Sequence, residues 1–160
     1  GRMKTALYVA TVARTYRKAI DDYLEDPKLY EEHMPWYRTQ IASCTYRQFT
    51  TGFFYGRPDE NTQIYDNNTY VKEYTYLGIV GEVDAEGRCR IEQRNKFSVG
   101  ETIEIMKPDG QNIETVVRAI INEDGETQES APHSKQVLYI ELDKKAEKYD
   151  ILRRAEDIEA

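Results

Sequence analysis

At 160 residues, with 39% hydrophobic and 32% charged positions, the chain has the makings of one packed core with a helical appendage. The net charge of −7 argues against non-specific binding to nucleic acid or membrane, because a phosphate surface repels the average face. No apolar run approaches the roughly 20 residues that span a bilayer, and no basic-then-apolar leader opens the chain, so the expected compartment is the cytoplasm.

Gly1-Arg2-Met3-Lys4 opens abruptly and reads as the interior of a longer protein. From Thr5 the pattern turns helical: Tyr8, Val12, Tyr16, Ile20 and Tyr23 fall on one stripe. Thr5 is placed to cap the start, and Pro27 to end the run. The stripe is expected to pack against something larger than the helix, with Arg14, Arg17 and Lys18 on a solvated face. Lys28 to Met34 reads as a short turn, and Pro35 as the first helical position of a segment to about Cys44, burying Trp36, Tyr37 and Ile41. His33 at this junction reads as a surface or capping residue. Thr45 to Pro58 carries Arg47 and an aromatic knot, Phe53, Phe54 and Tyr55. Such a knot either stacks on a base or ring or anchors the helical part onto a downstream barrel. Asp59 to Thr69 reads as a long polar surface loop.

From Tyr70 the chain reads as β. Tyr74 to Val83 alternates, with Leu77, Ile79 and Val83 on one face and a bend or bulge at Gly78 and Gly81. Arg88 to Arg94 is the next expected strand, with Cys89 and Ile91 pointing inward. Phe97 anchors a turn at Ser98-Val99-Gly100, and strands follow over Glu101 to Met106, Ile113 to Ile121, Gln136 to Leu142 and Asp150 to Arg154. Gly-containing turns separate them, notably Pro108-Asp109-Gly110. Five to seven short strands with such turns predict a small antiparallel barrel. The expected fold is α+β, with helices over 1–45, a connector over 46–69, a barrel over 70–154 and a frayed tail over 155–160.

Little here carries chemistry. There is no phosphate-binding glycine loop, no HExxH and no recognisable nucleophile motif. Cys44 and Cys89 are isolated thiols, expected to be buried and free, and His33 and His133 cannot make a three-histidine metal site. The acidic excess lies in the last sixty residues, which leaves room for a local basic patch. The best binding feature is Arg88, Arg90 and Arg94, alternate positions of one strand, with Lys96 close by and Glu92 interrupting. Such a stripe either tracks phosphates or is an ordinary surface laced with weak ion pairs.

Four segments in order, GRMKTALYVATVARTYRKAIDDYL, TYRQFTTGFFYG, EQRNKFSVGETIEIMKPDG and APHSKQ, resemble the C-terminal portion of the collagenase-like peptidases, peptidase family U32. The resemblance covers almost the whole chain. It implies a modified (β/α)8 barrel upstream, whose last helix is Thr5 to Leu24, followed by a small β-barrel similar to the second domain of elongation factor Tu. It places Arg2 and Lys4 at the mouth of the upstream barrel, in reach of a substrate. It implies two kinds of activity for the parent: peptide hydrolysis, or hydroxylation of tRNA or ribosomal RNA bases with an iron–sulfur cluster. The family's cysteine signature has no counterpart here, since Cys44 and Cys89 do not match it, so no cofactor is expected on this stretch. On this reading the chain is a non-catalytic accessory region that assists placement of RNA for the upstream barrel. The alternatives are an accessory region that grips polypeptide for a peptidase, and a purely structural or oligomerising one.

Overall fold

Thr5 accepts from the Tyr8 N–H at 3.3 Å and so caps α1 (Ala6–Glu25) as its sequence position requires. Asp26 serves two helices. Its N–H donates to the Asp22 carbonyl at 2.9 Å, closing α1, while its carboxylate accepts from the Lys28 N–H at 2.9 Å, opening α2 (Pro27–Ala42). Pro27 is the first residue of α2, where its missing N–H costs nothing. The expected break at Pro35 does not occur: Pro35 lies inside α2, which runs through it. The computed structural model describes residues 2–44, 54, 56–57 and 74–156.

The two helices form a hairpin, and its buried face differs from the expected one. Leu7, Thr11, Arg14, Thr15 and Asp22 turn inward, whereas Tyr16, Ile20 and Tyr23 are 63%, 53% and 55% exposed. Arg14 is therefore not on a solvated face. The polar side can be buried because its groups find partners. Thr11 and Thr15 return their hydroxyls to the Leu7 and Thr11 carbonyls at 2.8 and 2.7 Å. The Arg14 fork donates to the Lys107 carbonyl at 3.0 Å and to Gln40 Oε1 at 2.5 Å. In α2 the buried residues are Tyr37 and Gln40, while Trp36 and Ile41 are only half-buried.

The strands are β1 (Tyr74–Val83), β2 (Cys89–Glu92), β3 (Phe97–Ser98), β4 (Thr102–Met106), β5 (Asn112–Ile121), β6 (Thr127–Gln128), β7 (Ser130–Ala131), β8 (Val137–Leu142) and β9 (Ile151–Ala155). The main sheet runs β4-β9-β1-β2-β8-β5-β6, and β4 also pairs with β5, so six strands close into a ring. Closure leaves no edge among those six. Within the ring the two longest strands change neighbour along their length. β1 pairs first with β9 and then with β2, and β5 first with β4 and then with β8. Their registers shift between Tyr76 and Gly78, between Val80 and Glu82, and between Val117 and Ala119, which bends the sheet round the corners. Bulges were expected at Gly78 and Gly81, but they change the parity. Leu77 and Val80 fill the ring, while Ile79 faces the helices. In β8 likewise Leu138 and Ile140 are inside and Val137 is half-buried.

A second apolar cluster, Leu7, Met106 and Ile151 with Ile79 packed against it, seats α1 on the ring. The β4–β5 turn reaches up to the hairpin at Gly110. Its φ is +100°, and a Cβ there would stand 2.9 Å from Lys18 Cδ and 3.3 Å from Trp36 Cη2, so only glycine fits without a shift.

Candidate nucleic-acid interface

The arginine stripe is split by the structure. β2 spans only Cys89–Glu92, so Arg88 sits at the end of the preceding turn and Arg94 beyond the strand. Arg88 is held by Asp84 at 2.7 Å and Glu86 at 3.2 Å. Arg90 stands in register with Glu82 on one side and Tyr139 on the other. Arg88 is thus held by two carboxylates, and Arg90 lies across the ladder from Glu82. Arg94 and Lys96 are exposed, on the segment that leaves β2 for β3. Arg94 pairs with Glu92 at 2.8 Å, but both side chains are close to half exposed, a setting in which ion pairs are weak and readily exchanged.

Between Arg94 and Lys96, Asn95 donates to the Tyr76 carbonyl at 2.6 Å. Asn95 and Tyr76 line a cavity of about 130 Å³ at the junction of helix and ring, together with Thr5, Tyr8, Tyr74 and Arg153. Lys4 precedes Thr5 on the same rim, its Nζ 5.0 Å from the centre of the Tyr8 ring. Lys4 and the Arg94–Lys96 segment thus flank one cavity although some ninety residues separate them in sequence, and Arg2 is exposed just before Lys4. Arg47, Phe53 and Tyr55 lie outside the described residues; Phe54 is 83% exposed.

The cavity's floor is Arg153, 1% exposed. Its Nε donates to Glu104 Oε2 at 2.9 Å, and its Nη2 lies 2.8 Å from the same oxygen in an ion pair. Its guanidinium carbon lies 3.7 Å from the centre of the Tyr74 ring, close cation–π contact. Nearby, burial and then the Arg153 charge lower the Arg14 pKa to about 10, still charged at neutral pH. Burial pushes the Tyr76 phenol up, and Arg94 beside it offsets part of that. Sequence reading passed over Arg153, Tyr74 and Asn95. Its one available signal was a charged pair, Arg153-Arg154, inside an otherwise apolar closing strand.

A separate polar cluster zips the hairpin. Asp22 accepts from the Tyr37 hydroxyl at 2.5 Å, lies 2.8 Å from His33 Nδ1 and accepts from Lys18 at 3.2 Å. Burial alone would raise this carboxyl, but the three partners outweigh it and hold it at about 2. His33 therefore bonds inward rather than simply facing solvent. An iron–sulfur cluster, implied for the parent, takes about four thiolates. The chain has two cysteines, Cys44 and Cys89, both buried, and burial pushes the Cys89 thiol up. The residues present do not fit a cluster. Among the described residues no group of His, Cys, Asp or Glu is arranged to hold a metal, and no helix is long and apolar enough to cross a membrane.

The family model for the peptidase family U32 C-terminal domain matches residues 72–153, which is the ring, and that for peptidase family U32 matches residues 1–64. The chain belongs to peptidase family U32. This U32 chain is similar to tRNA hydroxylation protein P1 of Bacillus subtilis, 32% identical over 155 residues, covering 96% of the chain and 36% of the relative. It is also similar to tRNA hydroxylation protein P of Escherichia coli, 30% identical over 162 residues, with coverage of 96% and 33%. The U32 chain thus spans about a third of the length of these relatives. Among solved structures, the C-terminal domain of a Geobacillus thermoleovorans protein assigned to the U32 peptidases is 28% identical, with a TM-score of 0.46, covering 50% of this chain and 99% of that one.

Proposed function

We propose that this U32 chain is an accessory region that holds RNA, tRNA foremost, for a base-hydroxylating barrel elsewhere in the parent protein. The observation that carries this reading is the shared rim, where Lys4 and the Arg94–Lys96 segment flank one aromatic cavity on an otherwise acidic protein. Relatives named for tRNA hydroxylation support it. We read the ring as a barrel of the translation-factor type, a fold that often meets RNA, and this is analogy alone. Concentrating cations at one rim gives an acidic protein a defined contact with phosphate while its remaining surface repels misplaced RNA.

The test is binding of the chain to tRNA across a salt series. Three or four phosphate contacts give log K a slope of about −2 to −4 against log salt. Arg94→Glu and Lys96→Glu should each lower that slope by about one, while Arg88→Glu and Arg90→Glu leave it unchanged. Equal losses from all four, or no binding at low salt, would overturn the reading.

A second role rests on a different observation. The exposed Tyr16, Ile20 and Tyr23 face of α1 belongs to the part matched by the main U32 model. We propose that this face packs against the rest of that domain in the parent.

A further inference from the structure

We infer that the cavity between α1 and the ring is a pocket for one unstacked nucleobase of the one-ring class. The inference rests on the RNA-holding reading above and adds to it what the site recognises. Size sets the first limit. At about 130 Å³ the cavity is slightly smaller than one known to admit a benzene-sized ring. A six-membered heterocycle matches that space, and a fused two-ring base exceeds it.

Charge sets the second limit. A phosphate entering the cavity would need an unspent cation at its floor. Arg153 has committed Nε and Nη2 to Glu104 and lies flat on Tyr74, so its charge is already balanced. An uncharged planar group is what the floor accepts. The walls suit such a group, since Tyr8, Tyr74 and Tyr76 supply aromatic surface for stacking. Polar groups at the edge can read it. Asn95 uses its amide N–H on the Tyr76 carbonyl, and among the described residues its Oδ1 has no partner, so it can accept from a ring N–H or amino group. Ser43 Oγ donates to the Gln40 carbonyl and keeps lone pairs for the same purpose. The cations stand outside, at Lys4, Arg94 and Lys96, where the phosphates on either side of an inserted base would pass. Aromatic pocket within and cations on the rim are the two parts of a single-strand RNA site.

The experiment compares three nine-nucleotide RNAs that differ only at the centre of an adenosine run: uridine, an abasic residue, or adenosine. Loss of one stacked base costs about 5- to 150-fold in affinity, so the abasic and adenosine oligomers should both bind more weakly than the uridine one, within that range. In Tyr8→Ala the difference should shrink towards none while binding of the abasic oligomer is kept. Asn95→Ala, at an exposed position, gives the same test without touching the helix. Equal binding of the uridine and abasic oligomers, both salt-sensitive, would overturn the pocket and leave the RNA-holding reading standing. Adenosine binding as tightly as uridine would overturn the one-ring limit. No binding of any oligomer or of tRNA at low salt would overturn both readings.

Discussion

Asp22 is the residue on which the hairpin closes. Its carboxyl is held at about 2 against an ordinary 3.8, so the stabilisation is complete above the ordinary value and is lost as pH falls from about 4 towards 2. Denaturant midpoints measured across that window should fall for the native chain. They should fall less for Asp22→Asn, which is already weaker at neutral pH by about 1–3 kcal/mol because it poorly satisfies the Tyr37 hydroxyl. None of this was legible beforehand. Asp22 drew no notice, and Arg14 was placed on a wet face, because hydrophobic periodicity scores side chains by type and not by partner. What makes Arg14 an inside residue is a row of main-chain carbonyls at Lys107 and Gln111, more than ninety positions away. A single sequence carries no mark of that pairing.

The long strands were readable where their alternation was regular. β4 and β5 fall within a residue of expectation, since Ile103 and Ile105, and Thr115 and Val117, repeat with the pleat. The two-residue strands β3, β6 and β7 escaped, because two residues have no period. α2 was misread at Pro35 for a sound local reason: an interior proline forfeits a backbone hydrogen bond and crowds the preceding turn. The helix tolerates it, which leaves strain to recover. Pro35→Ala should stabilise the chain by about 1–3 kcal/mol in chemical denaturation, and no gain would show that the helix is already relaxed there. For α1, the tyrosine stripe was found correctly, and it is not what seats the helix on the ring, since Tyr16, Ile20 and Tyr23 stay exposed. Tyr16→Ser with Ile20→Ser should change stability by less than about 1 kcal/mol in all, as surface substitutions do. Burial of that face in the parent would make the same pair far more costly there.

The whole molecule is a ring with a helical hairpin seated on its rim, and the seat was invisible in the sequence because it joins segments from both halves. Gly110 looked like any turn glycine. Its position beneath Trp36 and Lys18 makes it the point of closest approach between the two parts. Gly110→Ala should cost about 1–3 kcal/mol through its positive φ and the crowding together. Hydrogen exchange should then quicken in α1 and α2 before it does in β5, since the seat loosens before the ring does. The candidate rim was half legible: each basic segment could be named from the sequence, but their meeting round one cavity needed the fold.

Closure of the ring places Tyr74, where it begins, directly opposite Ala155, where its last strand ends. The barrel therefore has a single doorway, with chain entering and leaving side by side, much as an inserted module hangs from its host by one stem. Tension applied across that stem loads the β1–β9 ladder one rung at a time from its open end, instead of shearing all rungs together. The outermost rungs, with Arg153 clamped between Tyr74 and Glu104, act as the latch. A barrel built this way yields first at that one place, and the cavity lined by Tyr74 and Arg153 lies beside the latch.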